Sequence, residues 1–289
     1  MIPAAAVAVP VRRTVTLAPV LLVAPLVAFM LIFYALPLAA MLSRSVSDPT
    51  WTLENYRRLA GDTVFLRVFW TTLRTALAVT IGALLLGYPV ALAMSRLRRT
   101  AAGVVLIIVL LPFWTSVLVR SYAWMVLLGR KGLINEVLIA TGLTDTPLKL
   151  LNTSLAVHVA MIHILLPYMI LPIASVLRQM DEALPRAAAG LGAPPWNVFA
   201  RVTLPLSMPG VAAGVLLVFV LSLGFYITPA LVGGPRDFML SMLIAQQVDL
   251  LNWPYAACLS ATLLAATLLI IAVFQYLPGV RDVLKTVPR

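Results

Sequence analysis

Six long runs without a charged residue are the strongest constraint on what this chain can fold into. They occupy 14–43, 75–95, 100–119, 150–177, 202–235 and 250–280. Each is long enough for an α-helix to cross a hydrocarbon core, which takes about 20 residues. Because a segment in lipid must satisfy its own backbone hydrogen bonds, these runs predict helices. The expected fold class is an all-α integral membrane protein, with one domain over 1–289 and six transmembrane helices.

Turn residues and arginines narrow the expected limits of the spans. The first run exceeds the roughly 7–15 residues of a signal-peptide core, so it is expected to stay as an uncleaved span after a cytoplasmic tail at 1–13. The spans are predicted at about 17–43, 71–95, 101–128, 154–178, 208–233 and 258–280.

The net charge of +11 fits a membrane protein rather than a nucleic-acid-binding one, because arginine and lysine collect beside spans and set their orientation. The short loop after the second span contains Arg96, Arg98 and Arg99. Such a loop is expected in the cytoplasm. Six crossings then place both termini on the cytoplasmic side.

The sequence gives no sign of an enzyme or of a metal site. It contains no phosphate-binding loop of the G-x-x-x-x-G-K-[ST] kind, so we expect no use of ATP by this chain itself. Its one cysteine, Cys258, excludes a cysteine-based metal cluster. His158 and His163 do not share a helix face and are interpreted as hydrogen-bonded bundle residues. No carboxylate lies in the six runs, which argues against a proton-coupled carrier.

Residues 181–207 form the longest polar interruption in the second half of the chain. Pro185 suits the first turn of a helix, and Gly192 suits the turn that ends it. A second, amphipathic helix is predicted to begin at Pro194 and Pro195 and to end at Pro205. The segment is therefore expected to be a compact two-helix element between spans four and five.

The spacing of small residues in this segment resembles the EAA motif of binding-protein-dependent ABC importer permeases. That motif reads E-A-A, three residues, G, nine residues and I-x-L-P. The positions that keep this register are Ala187, Ala188, Gly192, Val202, Leu204 and Pro205. The resemblance implies a type I importer fold in which residues 181–207, from here on called the coupling segment, form a cytoplasmic element that docks on an ATP-hydrolysing subunit.

One departure concerns Arg186, which stands where the motif has its glutamate. Glu182 lies one turn earlier and either substitutes for that glutamate or pairs with Arg186. We expect docking to persist through shape and small-residue packing. The docking residues that the resemblance implies are Glu182, Arg186, Ala187, Ala188, Gly192, Trp196, Arg201, Leu204 and Pro205.

Four further segments look like the spermidine/putrescine branch of these permeases. They are PFWTSVLVRSYAW from 112, GLIN from 132, LLPYMILPIASVL from 165 and NWPYAA from 252. The resemblance implies a bacterial inner-membrane permease for polyamines that forms half of a translocation path. The implied partners are two ATP-binding subunits that carry ATP and Mg²⁺, a second homologous permease, a soluble periplasmic or lipid-anchored substrate-binding protein, and membrane lipid.

Other interpretations of the function remain open at this point. The same importer class could carry another small cation, an opine-like compound or an organic phosphonate. A channel or secondary carrier would transport without an ATPase. Arg120 is interpreted as an interfacial side chain rather than as a solute contact.

The solute path is expected to use aromatic faces, because the spans lack carboxylates. The candidates are Tyr122, Trp124, Phe225 and Tyr226. Glycines and a proline interrupt the fifth span from Gly224 onward, and irregular backbone at membrane depth is tolerated where it lines a cavity. This interruption is predicted to form part of a gate.

Overall fold

The computed structural model describes residues 17–47, 50–274 and 276. The predicted tail at 1–13 and the end of the sixth predicted span lie outside the described residues. Within the described part the chain is helical and forms no β-sheet, which confirms the predicted fold class.

Fourteen α-helices follow one another along the described chain. They are α1 (Leu17–Met30), α2 (Leu36–Ser43), α3 (Glu54–Gly61), α4 (Thr63–Arg96), α5 (Arg99–Leu110), α6 (Val117–Leu127), α7 (Leu133–Ala140), α8 (Ser154–Gln179), α9 (Ala183–Gly190), α10 (Pro195–Val198), α11 (Leu204–Leu223), α12 (Ile227–Val232), α13 (Leu240–Asp249) and α14 (Trp253–Phe274). Two π-helical turns, Leu31–Ala35 and Phe199–Thr203, make α1–α2 and α10–α11 continuous.

Five helices in the described residues are long and apolar enough to cross a membrane, and a sixth span is present if one bent pair counts as a single crossing. The five are Leu22–Ser43, Thr63–Arg96, Ser154–Gln179, Pro195–Leu223 and Trp253–Phe274.

The bent pair replaces the continuous third span expected at 101–128. The helix Arg99–Trp114 meets α6 at an angle of 98°. The helix ends in a 3-10 turn that contains Pro112, and the backbone at Thr115 is extended. Ser116 then caps α6 by accepting a hydrogen bond from the N–H of Leu118 at 3.2 Å. A proline and a capping serine therefore break this span without changing its apolar composition.

The core of the molecule is the packing of α4, α8 and α11 against one another. Glycines allow the backbones to approach closely. A Cβ on Gly210 of α11 would lie 2.7 Å from the carbonyl oxygen of Pro172 in α8, and one on Gly214 would lie 2.8 Å from the sulfur of Met169. On α4, a Cβ on Gly87 would lie 3.1 Å from the Cγ of Met169. Small residues at helix contacts are the usual means of association in lipid, where the hydrophobic effect between helices is absent.

The first span stands apart from this core. None of the residues in its apolar window is buried within the chain. Its main packing partner among the described helices is α14. Its side chains therefore face lipid or another subunit.

The fifth predicted span, 208–233, is interrupted where the glycines suggested. α11 ends at Leu223, the chain turns at Gly224, and the short helix α12 follows. α12 packs against α6 and α8, where the hydroxyls of Ser121 and Thr228 are 2.8 Å apart. The predicted interruption is confirmed, and the chain after it folds back against the bundle.

Substitution of Gly210 by alanine tests the close packing of α8 and α11. The new Cβ would overlap the backbone of α8, so we expect a loss of about 1–3 kcal/mol in stability. The measurement is the thermal midpoint of the detergent-purified protein. Gly103→Ala is the matched control, because nothing lies within 4 Å of that position in α5. Equal midpoints for the two variants would contradict this account of the core.

Candidate functional site

The first half of the coupling segment folds as the short helix that its sequence predicts. Asp181 begins it by accepting a hydrogen bond from the N–H of Ala183 at 2.8 Å. The first helix, α9, ends in a turn at Gly192, which has a φ of +84°. There the N–H of Gly192 donates to the oxygen of Ala189 at 3.0 Å and the N–H of Ala193 donates to the oxygen of Ala188 at 3.2 Å. This is the Schellman pattern, in which a left-handed residue closes a helix.

The prediction that Pro205 ends the second helix is wrong. α10, the π-helical turn and α11 form one continuous helix over Pro195–Leu223. At the junction, the N–H of Leu204 bonds to the oxygen of Phe199, five residues back. Pro205 therefore follows directly on a change of hydrogen-bond register, at the start of α11, where its missing N–H is tolerated. The coupling segment is thus built into the long helix of the fifth span.

The predicted docking residues lie mostly on the surface of this segment. Trp196 is 71% exposed, although its ring also packs on Phe199 with the centroids 5.6 Å apart. Leu191, which sequence reasoning did not select, is 89% exposed at the turn between the helices. The remaining exposed or half-buried members are Glu182, Arg186, Ala187, Ala188, Gly192, Arg201, Leu204 and Pro205.

Of the two roles considered for Glu182, the structure has the ion pair with Arg186, one helical turn away. Both side chains are about three-quarters exposed. An exposed pair of this kind contributes little to stability. The pair balances the charge of the arginine at the motif position.

Sequence reasoning missed the residues that fasten the coupling segment to the core. The hydroxyl of Tyr88 on α4 lies 2.9 Å from that of Ser207 on α11. The ring of Tyr88 also meets the edge of Phe199, with centroids 5.9 Å apart. These contacts join the second coupling helix and the start of α11 to α4 of the core.

The four predicted path residues lie on α6 and on the break before α12, two regions that pack against each other. Tyr122 and Tyr226 are exposed, whereas Trp124 and Phe225 are half-buried. Trp124 donates a hydrogen bond from Nε1 to Nδ1 of His163 on α8 at 3.2 Å. The backbone oxygen of Phe225 accepts from the hydroxyl of Ser241 at 2.6 Å.

Arg120 lies one turn before Trp124 on α6 and is half-buried. Its Nε is enclosed and has no hydrogen-bond partner among the described residues. No aspartate or glutamate occurs within the five long helices or the bent pair. A cation in an apolar helix pair, with no ion-pair partner among the described residues, is a candidate functional residue.

A turn at the other end of α8 is held by Asp237, which is only 5% exposed. Its carboxylate accepts hydrogen bonds from the hydroxyl of Ser154, at the start of α8, and from the N–H of Gly234. A Cβ at Gly234 would lie 2.5 Å from the oxygen of Asn152, so the turn requires glycine. The interrupted part of the fifth span, which the sequence predicts as part of a gate, is therefore fixed at its end to the start of α8.

Comparisons with known proteins agree with this arrangement. Residues 83–282 match the family described as "Binding-protein-dependent transport system inner membrane component". The spermidine/putrescine transport system permease protein PotB of Haemophilus influenzae is 38% identical over 224 residues, which cover 77% of this chain and 78% of the relative.

Two solved structures share the fold. One is a bacterial ABC transporter involved in the import of the acidic polysaccharide alginate, with a TM-score of 0.74, 19% identity, and coverage of 90% of this chain and 94% of that one. The other is a bacterial alginate ABC transporter in complex with an alginate pentasaccharide-bound periplasmic protein, with a TM-score of 0.70, 18% identity, and coverage of 90% and 93%.

Gly192→Ala tests the turn of the coupling segment. A left-handed conformation costs an alanine about 1–2 kcal/mol, so the amides that close α9 should exchange with solvent about tenfold faster. The measurement is hydrogen–deuterium exchange by mass spectrometry on peptides spanning 183–195. Gly190→Ala is the control, because it lies in the same open surroundings without a positive φ. Exchange that stays unchanged in Gly192→Ala would refute the turn geometry.

Proposed function

The chain belongs to the family of inner membrane components of binding-protein-dependent transport systems, and from that premise we propose that it is the permease subunit of an ATP-driven importer of spermidine and putrescine. The similarity to the permease PotB over about three-quarters of both chains carries the choice of solute. As a multi-pass subunit of the inner membrane, the chain would form half of the translocation path, and a second homologous permease would form the other half.

The coupling segment supports the assignment of the ATPase-docking face. Two ATP-binding subunits would hold ATP and Mg²⁺ and hydrolyse the nucleotide, while this chain would bind no cofactor. Leu191 and Trp196 project from the segment and are suited to a groove on such a partner. Because α10 and α11 are continuous, movement of the segment would be carried along the fifth span to the break at Gly224.

The proposed orientation puts the coupling segment and both termini in the cytoplasm. The turn at Asp237 and helices α7 and α13 would then face the periplasm. A soluble periplasmic or lipid-anchored binding protein would deliver the solute to that face. The solved relative of this fold that carries a periplasmic protein supports such a partner.

Arg120 favours a second candidate solute class, a compound with a carboxylate or a phosphonate, as in the opine-like and phosphonate alternatives. An anionic group on the solute would supply the counter-ion that the described chain lacks. Under this alternative, Arg120→Gln should abolish uptake of the anionic solute. Under the polyamine proposal it should leave uptake of labelled putrescine intact.

Co-purification from native membranes tests the proposal as a whole. Mass spectrometry of the tagged chain should find an ATP-binding subunit and a second permease, and the binding protein of the same operon should carry a polyamine. Retrieval of an anionic ligand instead would favour the second candidate. Transport by liposomes that contain this chain alone would contradict the importer assignment.

Arg186→Glu tests whether docking relies on the charge at the motif position. The change places two glutamates one turn apart on an exposed surface, a repulsion of only a few tenths of a kcal/mol. We therefore expect the ATP-binding subunit to co-purify in undiminished amount. Trp196→Glu, which removes a projecting indole from the same surface, should reduce that amount strongly.

The pair of variants gives a clear contrast. Loss of the ATP-binding subunit from Arg186→Glu, together with its retention by Trp196→Glu, would mean that charge rather than shape controls docking.

A further inference from the structure

We propose that a cleft beside the coupling segment binds the phosphate group of an anionic phospholipid. The cleft has a volume of about 460 Å³ and lies between the ends of α4 and α8, the helix α9 and Thr203. We call it the arginine cleft, because its walls carry Arg96, Arg178 and Arg186. This inference concerns the membrane around the chain and does not depend on which solute is transported.

The charges of the arginine cleft favour an anion. Glu182 is its one carboxylate, and that carboxylate is already paired with Arg186. Neither Arg96 nor Arg178 forms an ion pair with a described residue. Two guanidinium groups on different helices therefore line one cleft with no counter-charge from the described chain. Guanidinium groups bind phosphate oxygens in a bidentate, charge-assisted manner.

The other walls of the cleft favour an amphiphilic ligand over a free anion. Leu92, Leu177 and Met180 supply apolar surface, and Ser95 and Thr203 supply hydroxyl groups. A phosphate ion alone would gain nothing from the apolar surface. A glycerophospholipid presents a phosphodiester to the arginines and an apolar stem to the leucines and the methionine.

The position of the cleft places it at the membrane interface. Arg96 is the last residue of α4, and Arg178 is the penultimate residue of α8, two of the helices long enough to cross the bilayer. Arginines at the ends of spans reach for lipid headgroups. Basic pockets between spans at the positively charged end of a bundle are recognised sites for anionic lipid headgroups.

The ligand would act on the coupling segment. Pro185 and Ala189 of α9 line the cleft opposite the ends of α4 and α8. A lipid phosphate held by Arg96 and Arg178 would fix the position of α9 relative to both spans. Anionic lipid would thereby stabilise the coupling segment in the conformation seen here.

The test measures the thermal stability of the purified complex of this chain with its co-purified subunits, in detergent. Phosphatidylglycerol is titrated against phosphatidylcholine of the same chain length, and inorganic phosphate and glycerol 3-phosphate form separate arms. The cleft variant is Arg96→Gln with Arg178→Gln. The matched control is Arg98→Gln with Arg99→Gln, which removes the same charge from the adjacent turn outside the cleft lining.

We expect phosphatidylglycerol to raise the thermal midpoint of the native complex and of the control by several degrees. In the cleft variant the lipid concentration needed for half of that rise should increase at least about tenfold, equivalent to ~1.4 kcal/mol. Native mass spectrometry should find bound phosphatidylglycerol reduced in the cleft variant alone.

Three outcomes would overturn the inference. Equal lipid dependence in the cleft variant and the control would assign the effect to general surface charge. A rise in the thermal midpoint with inorganic phosphate or glycerol 3-phosphate that equals the rise with phosphatidylglycerol would assign the cleft to a free anion. A native complex that shows no dependence on anionic lipid would also refute the proposal.

Discussion

The fold depends on the close approach of three helix backbones. Lipid tails are as apolar as the side chains that face them, so helices gain no hydrophobic free energy by associating in a membrane. Their association rests instead on van der Waals contact between surfaces that fit. Gly210 and Gly214 bring α11 against α8, and Gly87 brings α4 against the same part of α8. A contact of this kind tolerates little change in spacing, because a methyl group added at Gly210 would meet the backbone of α8, and one added at Gly214 or Gly87 would meet Met169. The three helices therefore behave as one rigid unit.

The coupling segment is attached directly to this rigid unit. The second coupling helix continues into α11 without a break, and Tyr88 and Ser207 tie that junction to α4. At the far end of α8, Asp237 holds the turn that follows the fifth span. Under the proposed function, a displacement of the coupling segment would reach the opposite face through a continuous helix and a packed core. Along this route the helix is interrupted at the short break at Gly224, beside the candidate path residues.

Much of this arrangement could be predicted from local sequence. Charge-free runs predict membrane helices because lipid demands satisfied backbones, and Gly192 predicts a turn because it adopts a left-handed conformation readily. The break in the third predicted span could not be predicted from composition, because Thr115 and Ser116 lie in a run that is apolar on both sides. The helix continues through Pro205 because of a shift in hydrogen-bond register, and no residue type predicts such a shift. The bond between Ser154 and Asp237 joins residues 83 positions apart, beyond the reach of any periodic pattern.

The most direct test of the central claim is site-specific cross-linking of the coupling segment in the assembled transporter. The chain has one cysteine, Cys258, which is fully buried, so single new cysteines can be followed. Leu191→Cys is placed at the exposed turn of the segment, and Leu250→Cys is placed at an exposed position after α13. The account predicts that the first forms an adduct with an ATP-binding subunit and resists impermeant reagents outside the cell, while the second reacts from outside and forms no such adduct. The reverse pattern, with Leu191→Cys labelled from outside and no ATP-binding subunit attached to it, would contradict the account.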